Sequence, residues 1–307
     1  MAAYLVRKLL LTIPTILGIV LITFLLFRVV ARDPARAYAG KEKSEAQLQA
    51  IRHEMWLDKP VWKQFLLTTV FQFPHSMRYK ESVWTLIARK APVSLAIQVP
   101  VFFIALGLQL VLALFTASRR GQVPDYLVTF FTVLGMSVPP LSIYIASQWL
   151  FGGYLRWFPV AGWSTGFFYA IHFAALPIVV SVMMDIGWGT RFYRTTVLEE
   201  ISNDYVRTAR AKGVQGREVL LTHVLRNVMI PVVTNTVVAL PFLITGALLL
   251  ERLFQIPGMG GMLVDAIHTQ DEPVVMAIVY TTAVAYCLML VMTDVLYAWV
   301  DPRVALK

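Results

Sequence analysis

Cysteine occurs once in the 307 residues, at Cys287. One thiol cannot form an intrachain disulfide or a cysteine-based metal site, so Cys287, inside an apolar run, is expected to pack as a small hydrophobe. Charge is scarce as well. Asp, Glu, Lys and Arg make up 15% of the chain, against roughly a quarter in soluble domains. Patterns for self-contained chemistry are missing too. No G-x-x-x-x-G-K-[ST] phosphate loop occurs, because Gly40-Lys41-Glu42 has the wrong residue after the lysine and no glycine at the required earlier position. Gly258-Met259-Gly260-Gly261 lacks the lysine and reads as a tight turn where glycine allows close backbone approach. The five histidines (His53, His75, His172, His223 and His268) show no H-E-x-x-H or other close metal spacing, and there is no G-x-S-x-G elbow. The chain is therefore expected to be no enzyme and to bind no cofactor or metal of its own.

Apolar sequence is what remains. Hydrophobic residues make up 58%, and the mean hydropathy is +0.66. They come in six blocks, 9–30, 93–117, 127–151, 167–190, 229–250 and 274–300, each close to the roughly 20 residues that cross a hydrocarbon core of about 30 Å. The fold class expected is all-α, a polytopic membrane protein with about six transmembrane helices forming a single permease domain over 1–307. The first block has the basic start and apolar run of a signal peptide, with Ala35-Arg36-Ala37 as a cleavage-like site. Its apolar run exceeds the roughly 7–15 residues of a signal h-region, so it is expected to stay as a first helix.

Short basic loops set the orientation. Arg7 and Lys8 precede the first block and Arg119 and Arg120 follow the second. Arg191, Arg194, Arg207, Arg210, Lys212, Arg217 and Arg226 lie between the fourth and fifth, and Arg303 and Lys307 follow the sixth. Six spans put all four segments on one side, the cytoplasm, with both termini inside. Arg156 and Arg252 lie on the other side. Residues 31–92 hold 11 Lys and Arg, but a segment this long largely escapes the rule and is taken as an external region with a helical pattern at 44–56. Residues 251–273 are taken as a second external loop and 191–228 as a cytoplasmic one. The net charge of +9 suits basic loops facing anionic lipid headgroups better than nucleic acid.

In the cytoplasmic loop, NDYVRTARAKGVQGREVLLTHVLRN at 203–227 contains two helical patterns hinged on Gly213. Asn203 suits an N-cap and Asp204 the positive end of the helix dipole. Gly213 is placed to take the left-handed C′ conformation. A second helix from Arg217 carries a stripe of Val219, Leu220, Val224 and Leu225. A helix of about nine residues is marginal alone, and Tyr205, Val206 and Ala209 give it a small apolar face. That face can pack on the protein's own helix ends or dock a separate subunit; physics alone leaves both open.

This segment resembles the cytoplasmic loop of binding-protein-dependent ABC importer permeases, whose pattern runs Glu-Ala-Ala, three residues, Gly, nine residues, Ile, one residue, Leu-Pro. With Gly213 as the glycine, Arg207, Thr208 and Ala209 fill the first positions, His223 the Ile position and Leu225-Arg226 the last. DYVRTARAKG followed by HVLRN is similar to the variant found in the dipeptide, oligopeptide and nickel permeases. LDKPVWKQFL at 57–66, SVWTLIARKAPVSLAI at 82–97, ERLFQIPGMGGMLVDAIHTQDEPVVM at 251–276 and DVLYAWVDPRV at 294–304 resemble the same family in order. Asp271-Glu272-Pro273 departs from its usual Asp, aromatic, Pro, and residues 67–81 match little.

The resemblance implies a multi-pass subunit of the bacterial inner membrane that forms half of a translocation pathway. Its implied partners are a second homologous permease, two cytoplasmic ATPases carrying ATP and Mg, an external substrate-binding protein and membrane lipid. Coupling to an ATPase would fall on Asp204, Tyr205, Arg207, Thr208, Ala209, Lys212 and Gly213. Short peptides are the expected substrate, with nickel chelates, modified peptides and some oligosaccharides open. The fifth span, with Thr234, Asn235, Thr236 and Thr245, is the most polar candidate for the pathway, although these hydroxyls can also bond their own backbone. Pro139-Pro140, Pro177, Pro231 and Pro241 interrupt helix hydrogen bonding. Ser137 and Ser181 are expected to bond neighbouring helices. Two acidic residues inside spans, Asp185 and Asp294, support an alternative, an ion-gradient-driven secondary transporter. No inverted repeat is visible. A membrane scaffold that merely recruits a partner is the third reading.

Overall fold

The computed structural model describes residues 2–30, 33–39, 44–164 and 166–300, without the side chains of 2–9, 29–30, 167 and 294–300. Arg303 and Lys307 lie outside these residues, as do the side chains of Arg7, Lys8 and Asp294. In chain order the helices are α1 (Ala2–Leu25, continued by a π-helical turn Leu26–Val30), α2 (Pro34–Ala39), α3 (Glu45–Glu54), α4 (Val61–Thr69), α5 (Val83–Ser118) and α6 (Val123–Ser137). Then come α7 (Pro140–Ser147, continued by π-helical Gln148–Tyr154), α8 (Phe167–Ile201), α9 (Asp204–Ala211) and α10 (Gly216–Glu218). π-helical Val219–Val224 leads into α11 (Leu225–Thr245), followed by α12 (Leu248–Leu253), α13 (Met259–His268) and α14 (Glu272–Val300). No strand occurs among the described residues, in keeping with a chain whose backbone must satisfy itself within lipid.

Five helical stretches are long and apolar enough to cross a membrane: Leu10–Arg28, Val83–Ser118, Phe168–Ile201, Gly216–Leu253 and Glu272–Thr293. The third apolar block behaves differently. It is read above as one span over 127–151, but α6 and the α7 segment are bent by 95° and make a sixth span only if counted together. The cause is local. Pro139 and Pro140 both lack an N–H, and Val138 before them is extended at φ −94°, ψ 131° as a pre-proline residue prefers. Pro177, Pro231 and Pro241 instead sit inside continuous helices.

The chain divides into two compact units. One comprises Met1–Leu95, Val237–Arg252 and Pro257–Lys307; the other comprises Ala96–Thr236 and Leu253–Ile256. In the first, Val20 and Phe24 of α1 pack on Met276 and Tyr280 of α14, and the Tyr280 hydroxyl donates to the Val20 carbonyl at 2.8 Å. A small cap is built on Ala35, Leu48, Ile51, Met55 and Met77. Its helix α3 confirms the 44–56 pattern, starting with a reciprocal Ser44–Gln47 capping box. Asp271, fully buried, accepts from Ser76 Oγ at 2.5 Å, Met77 N at 3.0 Å and Arg78 N at 3.2 Å. It thereby ties the 76–78 turn, within the stretch least like the family, to the start of α14. Next to it, Glu272 forms a buried ion pair with Arg28 at 3.1 Å, so the residue that departs from the family's aromatic has a charged partner in α1.

The same unit explains the Gly258–Gly261 run. Glu251, 2% exposed, accepts from Ser94 Oγ at 2.7 Å through one carboxylate oxygen and from Gly261 N at 2.9 Å through the other. Met259 N donates to Ser94 Oγ at 2.8 Å. The amides at the start of α13 are therefore taken by the protein's own carboxylate and hydroxyl, and no phosphate site remains there. Gly246, at φ +73°, is glycine for two reasons, since a Cβ would also run into Glu251 Oε1.

In the second unit, Asp125 of α6 receives a bidentate bond from Arg194 of α8, at 2.9 Å from Nε and 2.8 Å from Nη2, a geometry suited to guanidinium and carboxylate. Ser181 meets the Tyr144 hydroxyl of α7 at 3.5 Å, as expected of a bond to a neighbouring helix. Ser137 does not; its hydroxyl bonds the Val133 carbonyl of its own helix at 2.8 Å. Cys287 is buried and unpaired.

Candidate functional site

The segment singled out by its sequence forms a compact piece of the second unit. α8 ends at Ile201, and after two intervening residues α9 starts at Asp204. Asn203 occupies the N-cap position with an extended backbone, φ −71°, ψ 153°, but its side chain makes no capping bond. Its Nδ2 donates instead to Glu200 Oε2 at 3.0 Å, and the Tyr205 hydroxyl donates to the same oxygen at 2.8 Å. Burial pushes the Tyr205 phenol up from its usual range; a bond to Asn227 opposes this, and the bond and charge of Glu200 add to it. The phenol accordingly stays protonated and keeps donating. Glu200 thus holds the start of α9 against the end of α8.

The far end closes as the position of Gly213 predicted. Gly213 adopts φ +83°. Its N–H donates to the Arg210 carbonyl at 2.9 Å, and the Val214 N–H donates to the Ala209 carbonyl at 3.3 Å. With Lys212 as C-cap, these are the two bonds of a Schellman motif. The chain then turns into α10 and π-helical Val219–Val224. A π-helix brings residues five apart onto one face, and Val219 and Val224 are both buried, at 1% and 0%.

That face meets α9. Val206 and Ala209 are buried with Ala113, Ala117, Tyr193, Val197, Val219, Val224, Val228 and Val232 in one apolar cluster. Fully burying a valine stabilises by about 1.5–3 kcal/mol, which fixes an eight-residue helix that would not form alone. Ala209, grouped by sequence with the ATPase-contacting residues, therefore packs inward, and its side chain is not available to a separate subunit. Asp204, Arg207, Thr208, Arg210, Lys212 and Gly213 stay exposed. Arg207 and Asp204 are 3.5 Å apart at 76% and 94% exposure, a pair too solvated to hold the helix by itself.

The polar residues of α11 do not form one site. Thr234 bonds the Ile230 carbonyl of its own helix at 2.8 Å. Asn235 Nδ2 and the Thr236 hydroxyl have no hydrogen-bond partner among the described residues. Consecutive helical residues point about 100° apart, so these three cannot all line one path. Thr245 belongs to the other unit, where it lines a mostly apolar cavity of about 480 Å³ with Phe242, Ile278, Thr282 and Tyr286. Asp185 is exposed on α8. Its carboxylate makes no hydrogen bond or ion pair among the described residues, while its backbone carbonyl accepts from Gln109 Nε2 at 2.9 Å.

Residues 109–306 match the family described as the binding-protein-dependent transport system inner membrane component, and residues 1–73 match its N-terminal region. The chain belongs to this family. It is a multi-pass inner-membrane protein, and the family supplies the membrane permease subunit of ABC importers. Among the relatives, a dipeptide transport system permease protein of Lactococcus lactis is 33% identical over 311 residues, all of both chains. An oligopeptide transport system permease protein of Bacillus subtilis is 32% identical over 99% of both. A glutathione transport system permease protein of Pectobacterium atrosepticum is 32% identical over the whole of both. Their names fall within the peptide branch that the 203–227 segment resembles.

Four polar links escaped the sequence reading: Ser94–Glu251, Ser76–Asp271, Arg28–Glu272 and Asp125–Arg194. Their partners lie 157, 195, 244 and 69 residues apart. The available signal was the acidic residue in or beside an apolar run, which requires a partner without saying where it is.

Proposed function

We propose that this permease forms half of the translocation pathway of an ATP-driven importer of short peptides, with α9 as its coupling helix. The carrying observation is the division of α9 into two faces. Val206 and Ala209 hold it rigidly to α8 and the 219–232 segment, while Asp204, Arg207, Thr208 and Lys212 stand free to meet another protein. A short helix fixed to two spans transmits a rigid-body movement as a loose loop cannot. It does so only through contacts that differ between the states of its partner.

The assembly proposed has a second homologous permease, two cytoplasmic ATPases and an external binding protein, with both termini of this chain in the cytoplasm. ATP and Mg belong to the ATPases, and this chain binds no cofactor. The relatives' names favour dipeptides, oligopeptides or glutathione over nickel chelates and oligosaccharides. The test is a short thiol cross-linker applied to the assembled complex carrying Thr208→Cys or Ala209→Cys in a Cys287→Ala background. Position 208 should capture an ATPase and position 209 should not. A transporting complex in which position 208 captures nothing would overturn the coupling assignment.

One observation favours a second reading. An exposed carboxylate inside a span is costly toward lipid and marks a water-filled path or a subunit contact, and Asp185 is placed so. If it carries protons for a secondary transporter, Asp185→Asn abolishes uptake driven by an ion gradient. In the importer, uptake follows ATP and ignores that gradient.

A further inference from the structure

α4 is built inside out. Its two buried residues, Gln64 and Thr68, are polar, with half-buried Phe65 between them. Gln64 Nε2 donates to the Lys59 carbonyl at 2.7 Å, and Thr68 Oγ1 donates to the carbonyls of Phe65 at 2.8 Å and Gln64 at 3.1 Å. One outward stripe is apolar: Trp62, Leu66 and the C-cap Val70, four apart along one face, are 65%, 53% and 63% exposed. A helix washed by water turns its apolar stripe to the core and its polar face out. This one has hidden its polar groups by bonding them to nearby carbonyls and presents a large apolar stripe.

We infer that α4 lies in the membrane boundary, with Trp62, Leu66 and Val70 among lipid acyl chains beside the end of the first span. Continuity with the spanning surface argues for lipid. Phe65 of α4 packs edge-on against Phe24 at 5.4 Å, and Phe24 lies in the last turns of the Leu10–Arg28 span. The outward residues of α1 at that level, Leu21, Ile22, Leu25 and Leu26, are apolar and exposed and face the bilayer, so the α4 stripe extends the same surface. The ends of α4 fit the boundary as well. Trp62 is a residue type enriched at the membrane–water interface, and exposed Lys63 can lay its stem on lipid and keep its ammonium in water. After α4, Phe71 takes φ +60°, and its carbonyl accepts from the Trp84 indole at 3.0 Å, which sets the helix end beside the start of the second span. The 31–92 region is thus not wholly external: α4 is an interfacial helix of the kind that lies in the plane of the membrane.

The experiment uses the assembled complex in liposomes, in a Cys287→Ala background, with a nitroxide on L66C and, independently, V70C. Labels on Q49C and I22C give the water and lipid references. Accessibility to oxygen, which concentrates in lipid, is compared with accessibility to a water-soluble nickel chelate. Positions 66 and 70 are expected to favour oxygen several-fold over position 49 and to resemble position 22. Free access of the chelate would overturn the inference by placing the stripe in water. Exclusion of both quenchers would also overturn it, by showing that a protein chain, such as the second permease, covers the stripe. The inference rests on membrane embedding alone, so either failure leaves the coupling assignment of α9 untouched.

Discussion

α4 and α9 are helices of nearly equal length, nine and eight residues, each connecting spans, and their faces are turned in opposite directions. α9 buries Val206 and Ala209 and exposes Asp204, Arg207 and Thr208; α4 buries Gln64 and Thr68 and exposes Trp62, Leu66 and Val70. Both obey one rule, that the outward face matches its surroundings. On the readings proposed above, these are water and a polar protein surface for α9 and lipid for α4. Amphipathicity by itself therefore does not say which face of a membrane-protein helix points in. The direction follows from which face has found internal partners.

The largest effect expected falls on the hinge that aims α9. Proline cannot reach the φ of +83° at Gly213 and also lacks the N–H that bonds Arg210. Gly213→Pro should cut transport at least about tenfold while ATP hydrolysis by the assembled complex persists, since about 1.4 kcal/mol of misplacement already corresponds to that factor. Transport and ATPase rates measured on the same reconstituted complex check it, and full transport would remove α9 from the mechanism.

The contrast itself breaks or holds on a pair of charge substitutions. Leu66→Asp sets a carboxylate against lipid, at a cost of up to about 3 kcal/mol, and should lower the thermal midpoint and folded yield. Arg207→Asp, on an exposed face, should leave both unchanged and weaken cross-linking to the ATPase. If the two substitutions produce the same phenotype, the helices do not differ as described.

A smaller effect is expected at Val206. Val206→Ala removes two buried methyl groups, about 1.5 kcal/mol, from the cluster that seats α9. Hydrogen exchange should quicken over 204–211 in that variant and not over 61–69.

The smallest effect is pH dependence in the cap next to α4. Burial works against ionisation of Asp33, but the hydrogen bond and charge of Arg52 at 2.5 Å outweigh it and hold the carboxyl below its usual range. A lowered folded value contributes stability that is complete above the unfolded pKa of about 3.9 and is lost as pH falls through the folded value. Protease protection of 33–55 should therefore be flat from neutral pH down to about 4 and decline below it, and Arg52→Gln should flatten the decline.

Much of this was open to the sequence because its causes are local. Five of the six apolar runs, the helical pattern at 44–56 and Gly213 each work within a few residues of themselves, and the structure has each in place. Asn203 shows the limit: its position as N-cap was legible, but its amide turned to Glu200. Ala209 shows it again, since an alanine on a short amphipathic helix suits a docking face as well as a packing face, and only Val219 and Val224 opposite it decide. Among the prolines, Pro177, Pro231 and Pro241 stay within continuous helices while the Pro139-Pro140 pair bends the chain by 95°, because two adjacent missing donors cannot both be bypassed.

By itself, then, the sequence determined that the chain is helical, spans the membrane several times and belongs to a permease family, because span length and helix ends depend on neighbouring residues and on the thickness of the bilayer. Tertiary structure alone decided which face of α4 and of α9 turns outward, and which acidic side chain meets which partner. Those outcomes depend on residues far apart in the chain, such as Ser94 and Glu251, and on whether water, protein or lipid lies on the other side.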